Sequence, residues 1–331
     1  MTMSDDDAEV NVRGRVLKVP SARIHERTVI VTGKWLRMAA VQDEELVEGE
    51  VVANPAPFIA ELKASRLAAD VFSFAQRPPG TPPRHNFHFE WDNWAAIPIT
   101  SFEDWWEHRL PQETRKNVRR AEKRGVTVRV TPFNDELVKG IQEIYNETRV
   151  RQGRAFWHYG KGFETVKVEN GTYPDRSAFI GAYFNDELIG FIRVVFVDRI
   201  ATLVQIIAKV QHQDKRPMNA LLAKAVESCV LRGAAMLVYG KYIYGPNQDT
   251  SLTEFKRRNG FEEVRFVRYY VALNPKGQMA IWLGLHRGAR ALLPPSVVRL
   301  SLALRTRFYG WRRRTRNHGA KELEGCPKTS A

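Results

Sequence analysis

The chain has 331 residues, 44% of them hydrophobic and 27% charged, ordinary values for a globular protein that buries a sizeable core. No apolar run approaches the roughly 18 residues that a membrane-spanning helix requires, and Cys229 and Cys326, 97 positions apart, make neither a disulfide framework nor a zinc motif. Fifty-one Lys and Arg against 37 Asp and Glu give +14, a surplus that favours anionic partners: nucleic acid, phosphorylated small molecules or an acidic membrane surface.

The start carries Asp5, Asp6, Asp7 and Glu9, the opposite of the basic and then apolar opening of a secretion signal, so a reducing, cytoplasmic setting is expected. Residues 1–20 read as a flexible leader. From Ser21 to Thr100 short β-rich runs alternate with polar breaks: Thr28 to Thr32, Leu36 to Val41, Val71 to Phe74 and Asn86 to Ile99. One helix, Pro57 to Leu67, sits among them, opened by Asn54-Pro55. Arg77 to Arg84 (RPPGTPPR) cannot continue a helix or a central strand and is a loop. A long helix follows in pieces from Phe102 to Arg124, with Gly125 at its C-cap. It stacks Arg115, Arg119 and Lys123, and likewise Lys116, Arg120 and Arg124, four apart. Such like-charge pairs cost a helix a few tenths of a kcal/mol each, and a phosphate-bearing partner is one reason to keep them.

Beyond Gly125 the order becomes regular. Val126 to Val130 alternates as a strand, and Asp135 to Arg149 is an amphipathic helix with Leu137, Ile141, Ile144 and Tyr145 at helical spacing. A polar, aromatic loop (Arg151 to Lys161) and a short helix lead to three strands, Ser177 to Phe184, Leu188 to Val197 and Ala201 to Lys209. Asn185-Asp186 and Asp198-Arg199 join them as two-residue hairpin turns. A helix from Pro217 to Arg232 begins on its proline. A strand (Ala235 to Tyr239), a helix (Ser251 to Arg258, closed by Asn259-Gly260) and a β run (Glu263 to Leu273) complete the series. In the tail, Val297, Leu300, Leu304, Phe308 and Trp311 fall on one helical stripe and Arg299, Arg305, Arg307, Arg312 and Arg314 fall off it. That pattern suits docking on the domain or, over residues 294–316, peripheral contact with an anionic membrane or RNA.

Strand, helix, helix, three antiparallel strands, helix, strand, helix, strand resembles the chain order of the GNAT N-acyltransferase superfamily. The texts that carry the resemblance are FIGAYFNDELIGFIRVVFVDRIATLVQI and LTEFKRRNGF, within about Val126 to Leu273. The basic QETRKNVRRAEKRGV before them is similar to Fem-type peptidoglycan-bridge aminoacyltransferases, which pair two GNAT-like units. The resemblance implies an α+β (α/β layered) fold, a mixed and mostly antiparallel sheet flanked by helices. It divides the chain into a reduced GNAT-like region at 21–125, an acyltransferase domain at 126–275 and a basic extension at 276–331. It also implies an acyl-CoA donor, acetyl-CoA by default, and no metal. Its contacts fall on Ile207, Ala208, Lys209 and Val210 and on Lys215, Arg216, Met218, Asn219 and Ala220, where a helix N-terminus faces pyrophosphate. The family writes Arg/Gln-x-x-Gly-x-Gly/Ala there. Lys215 and Ala220 match its ends, but Met218 takes the glycine position, and a side chain there crowds a phosphate lying on backbone.

Acyl transfer to an amine needs a base, oxyanion donors and an acid for the leaving group. By the resemblance the acid is a tyrosine of the loop YGKYIYGPNQ, Tyr244 or Tyr242, with Asn247 orienting a carbonyl or water. The patch Asn146 to Lys161 (NETRVRQGRAFWHYGK) falls where the family binds its acceptor. Glu147 or His158 is the expected base there. Arg149, Arg151 and Arg154 are suited to a phosphate or carboxylate, and Gln152, Trp157 and Tyr159 are further acceptor contacts. Three readings follow: an acyl-CoA-dependent N-acyltransferase acting on a small or cell-envelope-precursor amine, an aminoacyl-tRNA-dependent Fem-like transferase, and a non-catalytic GNAT-fold module at membrane or RNA.

Overall fold

The computed structural model describes residues 7–12, 15–77, 82–151, 153–243 and 251–288. The chain divides into one unit from Met1 to Gln278 and another from Met279 to Ala331. The stripe of the tail, 294–316, lies outside the described residues.

In the first part of the chain β1 (Ala8–Val12), β2 (Arg15–Val19), β3 (Ser21–Ile24), β4 (Arg27–Thr32) and β5 (Met38–Val41) precede α1 (Pro55–Ala64), β6 (Val71–Ala75) and β7 (His88–Pro98). β1 and β2 pair antiparallel, Val10 opposite Leu17. Within the segment expected as a flexible leader, AEVNV and RVLKV are therefore paired strands that satisfy each other's backbone groups. Next come α2 (Phe102–Asp104), a π-turn at Trp105–Arg109 and the basic helix α3 (Gln112–Lys123). Gly125 at φ +79 closes the last of these.

The second part runs β8 (Thr127–Thr131), α4 (Asp135–Asn146), the two-residue pair β9 (Val150–Arg151) and β10 (Arg154–Ala155), α5 (Phe163–Asn170), β11 (Ser177–Phe184), β12 (Glu187–Val197), β13 (Ile200–Ala208), α6 (Pro217–Leu231), β14 (Met236–Val238), α7 (Ser251–Arg258) and β15 (Glu262–Ala272), followed by α8 (Pro275–Trp282). From β8 to β15 this is the expected order apart from the β9–β10 pair, which falls in the expected polar loop, and α8 is an addition. Asn134 caps α4 by accepting from the Leu137 amide at 2.9 Å. Asn185, Asp186 and Asp198 take the positive φ that tight hairpin turns require.

One sheet of eleven strands carries both parts, in the order β3-β4-β5-β6-β15-β7-β14-β13-β12-β11-β8. The order is nearly a palindrome. β5 and β6, joined through α1, pair in parallel, as do β13 and β14, joined through α6. The closing strands are exchanged: β7 pairs with β14, and β15 pairs with β6. The region 21–100 thus repeats the strand plan of 177–272 without a counterpart of α7 among the described residues.

Two apolar layers cover the sheet of the second half. On one face α6 buries Leu221, Leu222, Val226 and Cys229 against Ile192, Val194, Leu203 and Ile206. On the other, α4 buries Leu137, Ile141, Ile144 and Tyr145 against Phe179 and Phe191. The site lies where β13 emerges between these layers.

Candidate functional site

β13 and β14 are neighbours only from Ile200 to Thr202, opposite Met236 to Val238. After Val238 the chain stays with β7 instead, the Tyr239 amide donating to Ala95 O and the Ala95 amide to Gly240 O, both at 2.8 Å. β13 continues to Ala208 with one extra residue, Val204, between Leu203 and Gln205 of its register with β12. A bulge of this kind bends the strand and re-aims its side chains. Here it coincides with the parting of two strands, and Val204 is 45% exposed there.

The expected donor loop lies directly beyond. Ile207 is half-buried and packs on the α4 face. Ala208 is buried, and its carbonyl accepts from Arg151 Nη1 at 2.9 Å. Lys209 is buried and paired, with Nζ 2.5 Å from Glu187 Oε1 and 3.8 Å from Glu143 Oε2. Lys215 lies 3.5 Å from Asp214 and over the ring of Phe184. Arg216 is exposed, with positive φ, immediately before Pro217. Met218 and Ala220 pack partly against the α6 core, so the methionine side chain does not stand free over the helix end. Asn219 Nδ2 donates to Asn259 Oδ1 at 3.1 Å, tying the first turn of α6 to the end of α7.

Glu147 does not stand apart as a base. One of its carboxylate oxygens accepts from the Val210 amide at 2.7 Å and Arg151 Nη2 at 3.1 Å, and the other from the Gln211 amide at 2.9 Å. Arg151 also donates to Ile144 O at 3.2 Å and stacks on Phe156. The pair is a clamp between the loop after α4 and the segment after β13, which removes Arg151 from the set of open anion contacts. It also bears on acyl-CoA. Two of the first three amides past β13, those of Val210 and Gln211, are occupied by a side chain of the protein itself, and a donor arm lying there would have to displace a carboxylate. The residues present do not fit that group as they stand.

His158 is 4% exposed, packed between Tyr145 and Trp157 with ring centroids at 4.1 and 3.5 Å and the rings tilted by 33°. Burial, with Lys161 and Arg151 nearby, pushes its pKa down to about 3. The ring is thus neutral at physiological pH. Its Nε2 stands 3.1 Å from Gln205 Nε2, which also donates to Tyr145 Oη at 2.7 Å. Burial likewise pushes the Tyr145 phenol up to about 12. Lys161 Nζ lies 3.5 Å from His158 Nδ1 and is bound by Glu169 at 2.6 and 2.7 Å. So weak a base takes an amine's proton poorly, and His158 is better suited to hold Gln205 than to act on substrate.

Among the other acceptor-patch residues, Arg149 is exposed over the ring of Tyr159, Arg154 is exposed, and Trp157 is half-exposed beneath the Lys161 ammonium. Tyr242 is half-buried, with its amide and that of Ile243 donating to Asn93 Oδ1 at 2.9 Å. Gln152, Tyr244 and Asn247 lie outside the described residues. The structure brings Glu147, Arg151 and His158 together with Ala208 to Val210. It adds Gln205, Tyr145 and Lys161, which sequence reasoning missed. Gln205 had left a signal, as the single amide in the otherwise apolar strand IATLVQIIA.

The basic helix adjoins this loop. Lys116, Arg119, Arg120, Lys123 and Arg124 are exposed. Arg115 is tied back to Trp106 O and Glu107 O at 2.9 Å and to the Glu107 carboxylate at 2.7 Å. Arg124 Nη1 donates to the carbonyl of Asp214 and lies 3.3 Å from its carboxylate, and Thr114 Oγ1 donates to Arg258 O at 2.6 Å. The helix is thus held against the loop that opens α6, through Arg124, and against α7, through Thr114. No described helix is long and apolar enough to cross a membrane.

No protein-family model matches the sequence, and no curated protein sequence is similar to it. Solved structures are similar in fold. A conserved protein of unknown function from Bacteroides thetaiotaomicron VPI-5482 is 9% identical over 77% of this chain and 86% of its own, with a TM-score of 0.50. FemX is 13% identical over 78% and 86%, at 0.49. L-PGS from Bacillus licheniformis is 13% identical over 78% and 84%, at 0.47. At these identities the likeness is one of fold alone. By its own strand order, parted central strands and flanking helices the chain has the GNAT fold.

Proposed function

We propose that the protein is an acyl-group transferase that acylates a primary amine, taking the acyl group from an ester carried by RNA, in the manner of an aminoacyl-tRNA-dependent enzyme. The observation that carries the choice of donor is the Glu147 carboxylate on the amides of Val210 and Gln211, where a pantetheine arm would otherwise lie. The exposed cations of α3, joined to the same loop through Arg124 and Asp214, fit a long phosphate-bearing donor. In this reading the amine attacks the ester carbonyl where β13 and β14 part. The carbon–nitrogen bond forms, the carbon–oxygen bond to ribose breaks, and the amine's proton passes to the leaving hydroxyl. Tyr244 is our candidate for the acid that delivers it. The acceptor is a small molecule or an envelope precursor reached from the side of the 147–161 loop.

Incubating the full chain with tRNA charged with radiolabelled amino acids and a mixture of envelope-precursor amines tests the reading. Label should move from RNA to amine, and move less as salt is raised. Label that stays on RNA at low salt with every amino acid would overturn it. A second reading, an acyl-CoA donor, is favoured by the parted strands and the Val204 bulge. Calorimetric titration with acetyl-CoA separates the two, since saturable micromolar binding by the unaltered chain supports CoA and counts against RNA.

A further inference from the structure

We propose that Phe89 and Trp91, exposed on one face of β7, form a stacking platform for an unpaired base of the RNA donor near its acylated end. The proposal deepens the RNA-donor reading and rests on it for the nature of the ligand. Trp91 is 54% exposed and Phe89 40%. Two residues apart on a strand, they point to the same side of the sheet. Their rings meet edge to face, with centroids 6.4 Å apart and planes at 90°. A flat base laid on one ring meets the other at its edge, so the pair suits one base rather than two. The sheet around them is well packed. Val267 and Tyr269, directly opposite them on β15, are buried in the apolar layer that α1 covers. Farther along the same face of β7, Ala95 and Ile97 are buried in the layer that α3 and α6 cover. Phe89 and Trp91 lie between these two layers and belong to neither.

Three features of this face fit RNA. The basic helix is on the same side, since its Ala121 packs in the layer with Ala95 and Ile97 while Lys116, Arg119, Arg120 and Lys123 are exposed. Arg265, exposed on β15 and 3.2 Å from Glu263, stands opposite Asn93 and adds a cation one step from Trp91 on that face. Asn93 also holds the amides of Tyr242 and Ile243 at 2.9 Å, just before Tyr244 in the chain. Trp91 follows about 7 Å along the strand, within the reach of a nucleotide. Phosphates on cations and a base on an aromatic ring are the two contacts by which single strands bind without sequence readout. The acceptor loop belongs to the opposite face, where Phe156 packs with α4. Donor and acceptor thus have separate approaches.

Calorimetry and hydroxyl-radical footprinting of the full chain test this, with a short single-stranded RNA and the same oligomer carrying abasic riboses. Both have the same phosphates, so their difference isolates the bases. The base-bearing RNA should bind about tenfold more tightly. It should also protect Trp91 and Phe89 from oxidation, which the abasic oligomer should not. Trp91→Leu should abolish the tenfold difference, and Trp91→Phe should keep most of it. Lys116→Glu with Arg120→Glu should weaken both oligomers alike and leave their ratio unchanged. Circular dichroism and melting curves that match the unaltered chain would show the variants folded. Equal binding of the two oligomers, no binding of either, a ratio that survives Trp91→Leu, or binding without protection of Trp91 would each overturn the proposal. So would a Trp91 already protected in the protein alone, the mark of another segment of this chain lying there, or one protected only by phosphatidylglycerol vesicles. Base-dependent binding in a chain that moves no label from charged tRNA refutes the donor reading and not the platform. Transfer without that base dependence refutes the platform alone.

Discussion

At His158 the cause of the depressed pKa also sets how the residue acts on stability. Its folded value, about 3, lies below the 6.5 or so of an unfolded histidine. Between these values the unfolded chain binds a proton that the folded chain refuses, so stability is complete above pH 6.5 and is lost as pH falls toward 3. Thermal melts between pH 7.5 and 4.5 should show the melting temperature falling with acid, and falling less in His158→Gln. Transfer rates should show no step near pH 6.5, since the ring is neutral throughout. Gly260 is a second residue with a local cause. It follows α7 at φ +78, and an added Cβ would lie 2.9 Å from Trp105 Nε1 and 3.4 Å from Arg109 O. Gly260→Ala should cost about 1–3 kcal/mol, from the left-handed backbone and the displaced indole, measurable by urea unfolding. The turn itself was legible, because Asn259-Gly260 is a local signal. The contacts of Glu147 were not, because its amide partners lie 63 and 64 residues away. A carboxylate in a polar loop reads as a base until its partners are known.

Among the elements, α3 and the 147–161 loop carry the donor question. The exposed face of α3 holds Lys116, Arg119, Arg120 and Lys123, and Thr114 and Ala121 are its buried positions. Lys116→Glu with Arg120→Glu should leave the melting temperature nearly unchanged. In filter binding at several salt concentrations it should weaken RNA binding and lower the salt slope by about two if both cations contact phosphates. The loop makes the complementary case. Glu147→Ala should open the amides of Val210 and Gln211 at a cost of about 1–3 kcal/mol in stability, because Arg151 and the two amides lose their partner. Acetyl-CoA binding that appears in this variant and is absent from the unaltered chain would identify Glu147 as what excludes the coenzyme. The helices and the β11–β13 meander were legible in the sequence, through 3.6-residue spacing in α4 and through Asn185-Asp186 and Asp198-Arg199. The β9–β10 pair was missed because two-residue strands have no period to read.

For the molecule as a whole, the consequential feature is the exchange of β7 and β15. β14 has β7 as a neighbour and β6 has β15, so each half is completed by a strand from the other. Charge crosses the same seam. Arg268 on β15 lies 3.0 Å from both Glu44 and Asp92, and Lys241, just past β14, lies 2.8 Å from Asp92. Burial draws the Arg268 pKa down, but these two carboxylates outweigh it and raise it. Chains cut after residue 125 should therefore fail to fold separately and give a folded complex only when co-expressed, as judged by gel filtration and circular dichroism. Two halves that each fold alone would refute the exchanged-strand arrangement. The sequence by itself determined the order of elements from 126 to 273, the hairpin turns, the helix ends and the basic surplus, because spacing, turn residues and charge are local quantities. Only the tertiary structure decided that β7 and β15 change places, that the Glu147 carboxylate binds the amides of Val210 and Gln211, and that Gln205 lies against Tyr145 and His158. Those outcomes depend on which distant backbone groups and charges come within about 3 Å of one another.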